Sequence, residues 1–238
     1  MRTLRWSVRL HKWIALLVGV QVLLWVAGGL LMTALPIERV RGEHKVAEQA
    51  VPLLLPEALM PLDEAARAAG VQSVEGASLG ALTGRPVWRI EAGGGVTTVD
   101  AKIGTILSPL GADEAARVSL YDYAGEAGIE AVRLLDDPPA EYGRAGPVWQ
   151  VRFDDRDATT LYVDPETGRV TARRSATWRV FDLAWRLHVM DYDDGADFNH
   201  PLVITAAGAA LILVLSGLVL LVIRTRRTIL VARARRRA

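Results

Sequence analysis

Two apolar spans, Trp13 to Leu35 and Pro201 to Ile223, carry no charge, and all 27 acidic residues lie between them. Only cations stand outside: Arg2, Arg5, Arg9 and Lys12 before the first span, and Arg224, Arg226, Arg227, Arg233, Arg235, Arg236 and Arg237 after the second. Eleven of the 28 cations therefore flank the spans, and the remaining 17 leave the middle with ten negative charges in excess. Each span can cross a hydrocarbon core of roughly 30 Å at about 1.5 Å per residue. Short basic flanks stay cytoplasmic while a long polar segment is translocated. The chain is expected to place both termini in the cytoplasm and its main domain outside. The first span is too long for a signal-peptide core and ends in Thr33-Ala34-Leu35-Pro36-Ile37-Glu38 instead of a small-residue cleavage site, so a retained anchor is expected.

The absence of cysteine excludes disulfides, thiolate metal sites, c-type haem attachment and thiol catalysis. The sequence pI near 8.1 averages two oppositely charged regions and gives no sign of nucleic-acid binding. Both spans carry small residues (Gly19, Ala27, Gly28 and Gly29; Ala206, Ala209, Ala210 and Gly217) that let helices approach closely. Gln21, about two turns inside the first span, should face another helix instead of lipid. A homo-oligomer or a subunit of a larger membrane complex is the expectation. Pro201 suits the first turn of the second helix, with Asn199 or His200 as its cap.

The middle contains a duplicated pattern. Leu62-Asp63-Glu64-Ala65-Ala66-Arg67 is followed by Pro86-Val87-Trp88-Arg89-Ile90, Val96–Asp100 and Gly104-Thr105-Ile106. Ala112-Asp113-Glu114-Ala115-Ala116-Arg117 is followed by Pro147-Val148-Trp149-Gln150-Val151, Thr160–Asp164 and Gly168-Arg169-Val170. The acidic first turn predicts a helix in each copy, and the Val-, Trp- and Ile-rich runs predict strands. Asp100–Gly104 and Asp164–Gly168 read as turns, and Gly93-Gly94-Gly95 as a hairpin turn. The fold class is therefore α+β, with a helix laid across one antiparallel sheet per copy.

A helix, a strand with Trp and then V-D-x-x-T-G-x-V resembles the PepSY domain. Arg9-Leu10-His11-Lys12-Trp13 at the first span and Leu187-His188 before the second resemble the PepSY-associated transmembrane family. The resemblance implies tandem PepSY-like units between two transmembrane helices. Its segments are a flank and first helix (1–36), a linker and first unit (37–110), a second unit (111–175), an interfacial helix with an acidic loop (176–200), and a second helix with a basic tail (201–238). It implies a bacterial inner-membrane location. Some members of the larger family are haem-dependent ferric-siderophore reductases; those typically have four helices, where this chain has two.

If helical, Trp178 to Tyr192 aligns Trp178, Phe181, Trp185, His188 and Tyr192 on one arc, which reads as an interfacial anchor at headgroup level. The same stripe can border b-type haem, since imidazole is a common axial ligand. By resemblance and position, His188 is the leading ligand candidate, followed by His11, His200 and His44. His11 belongs to the opposite membrane face from His188 and cannot share one iron with it. Asp191, Asp193, Asp194 and Asp197 also suggest a cation, although the spacing is not that of an EF-hand. No hydrolase or nucleotide-binding motif is present. The functional expectation is a haem-linked electron-transfer component acting on a ferric chelate or a flavin. The alternatives are a non-catalytic accessory subunit and a modulator of an extracytoplasmic protease.

Overall fold

A computed structural model describes residues 2–49, 58–191 and 199–237, with backbone alone for residues 2–12, 14, 220 and 234–237. The chain divides into two units, a helical one of residues 1–34 with 181–238 and an intervening one of residues 35–180.

The helical unit contains α1 (Arg2–Ala34), the later part of α5 (Ala176–Val189) and α6 (Pro201–Arg237). Ala15–Ala34 and Pro201–Arg233 are long and apolar enough to cross a membrane. The helix continues through the basic tail, which the sequence had suggested only as a flank. α1 and α6 pack on each other, with Val18 and Ala210 as their buried apolar residues. Leu17, Leu23, Val26, Ile212 and Leu221 point outward, as lipid-facing side chains do. His200 caps α6 as expected: its Nδ1 accepts from the Leu202 amide at 3.4 Å and its carbonyl from the Val203 amide at 3.1 Å.

The intervening unit is α+β. It begins with α2 (Ile37–Arg41) and continues with α3 (Leu62–Ala68) and the antiparallel sheet of β1 (Gly76–Leu82), β2 (Arg85–Ala92) and β3 (Gly95–Asp100). Next come α4 (Ala112–Asp122) and a four-stranded antiparallel sheet of β4 (Ile129–Leu135), β5 (Val148–Phe153), β6 (Thr160–Val163) and β7 (Val170–Arg174). The strands follow one another in both sheets, so neither sheet needs a crossover.

The duplication extends to individual hydrogen bonds. Trp88 stands opposite Val99, and Trp149 opposite Val163. The Trp88 indole donates to the Met60 carbonyl at 2.9 Å, and the Trp149 indole to the Leu110 carbonyl at 2.7 Å. Each of those carbonyls lies two residues before its helix. The Met60 amide donates to Ala101 O and the Leu110 amide to Pro165 O, both at 2.7 Å. Asp100 Oδ1 accepts from the amides of Lys102 and Ile103, and Asp164 Oδ1 from those of Glu166 and Thr167. Gly104 and Gly168 complete the two turns at φ of 73° and 64°, where glycine carries no Cβ penalty. The tryptophan thus pins the helix start to the sheet. Trp149→Phe should lower the stability of the full chain by about 1 kcal/mol, measured by thermal unfolding in detergent, because a buried carbonyl loses its donor.

A common core joins the two sheets. Leu82 and Val87 from the first copy pack with Leu110, Val118 and Val163 near and in the second. Ala65, Ala66, Ile90 and Val99 form a satellite core under α3, and Ala115, Tyr123, Val151, Phe153 and Leu161 one under α4. The small alanines of Asp-Glu-Ala-Ala-Arg are what allow each helix to lie close on its sheet. The segment after α1, read from the sequence as a linker, is packed on the second copy. Ala47 N donates to Asp122 O, Ala124 N to Lys45 O, and Val46 bridges to Tyr123.

Candidate functional site

Gln21, Trp25 and Gly28 are four and three residues apart and share one face of α1, while Ala184 and His188 are one turn apart on α5. These faces meet. Trp25 Nε1 donates to the His188 carbonyl at 2.8 Å, and the two rings lie 6.4 Å apart with planes inclined by 53°. A Cβ on Gly28 would stand 3.5 Å from the Ala184 carbonyl oxygen, which measures how close the helices come. Moving forward along α1 from Trp25 to Gly28 corresponds to moving back along α5 from His188 to Ala184, so the two run antiparallel here. The contact has a local cause. His188 is the penultimate residue of α5, where carbonyls lack helical partners, and Trp25 supplies the donor.

The contact falls within the apolar stretch of α1 and not at its end. Trp25 lies nine residues before the end of α1 at Ala34, roughly 13 Å at 1.5 Å per residue. Among the described residues His188 Nδ1 is buried without a hydrogen-bond partner, and so is Gln21 Nε2. A buried polar atom without a partner has lost its hydration without compensation. On the same stretch of α5, Arg186 and Asp182 form an ion pair one turn apart at 2.9 Å.

Among the described residues, the hydrogen bond and the ring contact to Trp25 involve no histidine but His188. His44 is exposed in the turn Glu43–Lys45 of the intervening unit, and His200 is engaged in capping α6. The side chain of His11 lies outside the described residues; its backbone position in α1 is fourteen residues before Trp25, roughly 21 Å along the axis. Of the aspartate cluster, Asp191 is buried, while Asp193, Asp194 and Asp197, with Tyr192 of the aromatic stripe, lie outside the described residues. Among the described residues no three His, Asp or Glu side chains gather around a common point.

Sequence reasoning singled out His188 and Gln21 but not Trp25, although its spacing of four from Gln21 was available as a signal. It also missed two ionic clusters in the intervening unit. Asp155 accepts from Lys45 Nζ (2.8 Å), Tyr123 OH (2.9 Å), Thr159 Oγ1 (2.5 Å) and the Thr159 amide (2.8 Å). Burial alone would raise its pKa, but the bonds from Lys45, Thr159 and Tyr123 hold it well below the usual carboxylate range. Glu141 accepts from Tyr162 OH at 2.7 Å and from Arg179 Nε at 2.9 Å. Burial, reinforced by Glu141, pushes the Tyr162 phenol up to about 12. Both carboxylates are saturated by donors, so neither is poised as a general base.

Taken together, two membrane-type helices and an intervening α+β unit of two antiparallel sheets define a membrane-anchored protein with one large domain between its anchors. The sequence model for the PepSY-associated TM region matches residues 8–238, nearly the whole chain, and the protein belongs to that family. No curated protein and no solved structure matched it.

Proposed function

We propose that the protein is a membrane-anchored electron-transfer subunit in which His188 is an axial ligand of b-type haem, with a ferric chelate or flavin as acceptor. Both termini would be cytoplasmic and the intervening unit on the opposite side, in keeping with the charge partition. The observation that carries the reading is the buried His188 Nδ1 without a partner, on a helix fixed against α1 by the Trp25 indole. When bound there, haem would supply a one-electron carrier whose potential responds to its ligands and to a low-dielectric surround. His188 offers one ligand, Trp25 holds its backbone, and Gly28 and Ala184 keep the helices close. His11 is too far along α1 to share an iron with His188, so a second ligand would come from another histidine of this chain, from another copy or from another subunit. The second reading, an accessory subunit without cofactor, is favoured by Gln21, whose buried Nε2 has no partner among the described residues and suits a neighbouring helix.

The deciding experiment is a reduced-minus-oxidised spectrum of the detergent-purified full chain, with a pyridine haemochrome assay. A b-type signal that His188→Ala removes, with circular dichroism unchanged, is the expected result. A colourless protein expressed with ample haem, or an intact spectrum in His188→Ala, overturns the haem reading and leaves the accessory subunit.

A further inference from the structure

A cavity of about 290 Å³ opens in the intervening unit where the two copies of the repeat meet. Three arginines line it: Arg89 from β2, Arg169 from the turn after β6, and Arg173 from β7. Among the described residues the one carboxylate in the lining is Asp122, and Arg173 grips it from both Nε and Nη2. That pair is neutral as a unit. The net charge facing the cavity therefore comes from Arg89 and Arg169.

Arg89 is the unusual member. Only 6% of it is exposed, yet its hydrogen bonds run to main-chain carbonyls, Nε to Thr167 O at 2.8 Å and Nη2 to Ala81 O at 3.3 Å. Among the described residues no carboxylate comes within ion-pair distance of it. A buried guanidinium without a counter-charge is costly, and native proteins pair such groups. Space for this one is held open by Gly80, where a Cβ would stand 2.7 Å from Arg89 Nη1. The environment registers the missing anion: burial, and then the positive charge of Arg169, pull the Arg89 pKa down to about 10.

We infer that this cavity binds a small ligand bearing an oxyanion, carboxylate or phosphate, seated between Arg89 and Arg169. Guanidinium forks match such groups with two parallel bonds. Leu82, Val118 and Tyr121 form an apolar wall that would take the body of the ligand. The volume is at the lower end for small-molecule pockets, which favours a compact ligand over a peptide.

The test is titration calorimetry of the detergent-purified full chain at low ionic strength with inorganic phosphate and, separately, with benzoate. Saturable binding of at least one probe is expected, weakened about tenfold or more in both Arg89→Met and Arg169→Met. The probe should raise the unfolding temperature of the native chain and leave that of the variants unmoved. Arg169 is exposed and among the described residues its side chain makes no hydrogen bond or ion pair, so that variant decides the matter if Arg89→Met does not fold. Absence of saturable binding by either probe, or binding that Arg169→Met leaves unchanged, overturns the inference.

Discussion

Asp155→Ala is expected to lower the stability of the full chain by about 3–5 kcal/mol. The residue sits in the turn between β5 and β6, and its carboxylate collects four hydrogen bonds from Lys45, Tyr123 and Thr159. Alanine removes all four acceptor contacts. Lys45 keeps Asp157 as a partner, but the Tyr123 hydroxyl is stranded. The effect reaches beyond one turn because Lys45 belongs to the segment that follows α1 and pairs with the end of α4. The charge dependence has a definite sign. Asp155 has a depressed pKa in the folded chain, so its contribution is fully present above its unfolded value near 3.9 and is lost as pH falls below about 4. Thermal unfolding in detergent between pH 7 and pH 3 should show the native chain losing stability over that acidic window. The Asp155→Ala chain should lose less of its remaining stability there. Equal acid sensitivity in the two proteins would refute the assignment.

Gly168→Ala should cost about 2–4 kcal/mol, for two separable reasons. The residue has a φ of +64°, which costs an L-residue roughly 1 kcal/mol. A Cβ there would also stand 2.6 Å from Leu82 Cδ1 and 3.1 Å from Leu110 Cδ2, and both leucines are buried in the core that joins the two sheets. Forcing a methyl into that core adds about 1–3 kcal/mol. Gly70 supplies the control. It has a similar φ of +72°, but a Cβ would meet nothing within 4 Å. Gly70→Ala should therefore show the backbone cost alone, about 1 kcal/mol. Similar losses in both variants would mean that the turn of the second copy does not press on the first as described.

Much of this architecture was legible because it is written in local chemistry. The two spans follow from length, apolarity and uncharged runs, and Pro201 with His200 marks the start of α6. The helices at Asp-Glu-Ala-Ala-Arg, the strands around Trp88 and Trp149, and the turns at Asp100 and Asp164 each rest on residues within a few positions of one another. β1 was not anticipated. Gly76-Ala77-Ser78-Leu79-Gly80-Ala81-Leu82 lacks the β-branched and aromatic residues of a strand, and it is held as one by pairing with β2. The packing of the linker after α1 was missed for a similar reason, since Lys45 and Asp155 are 110 residues apart.

The sequence alone determined a membrane protein with an α+β domain between two anchors, duplicated in outline, because hydrophobic period, charge partition and turn chemistry act over short distances. It also marked Gln21 as a polar residue inside an apolar span, and His188 as a ligand candidate by resemblance and by its place beside the aromatic stripe. Only the tertiary structure decided that α5 turns back along α1 and brings His188 beside Trp25, and that the uncompensated Arg89 opens on a cavity shared with Arg169. Those juxtapositions depend on which helices and sheets pack together. That choice is made by the summed burial of side chains far apart in the chain, and no single segment carries it.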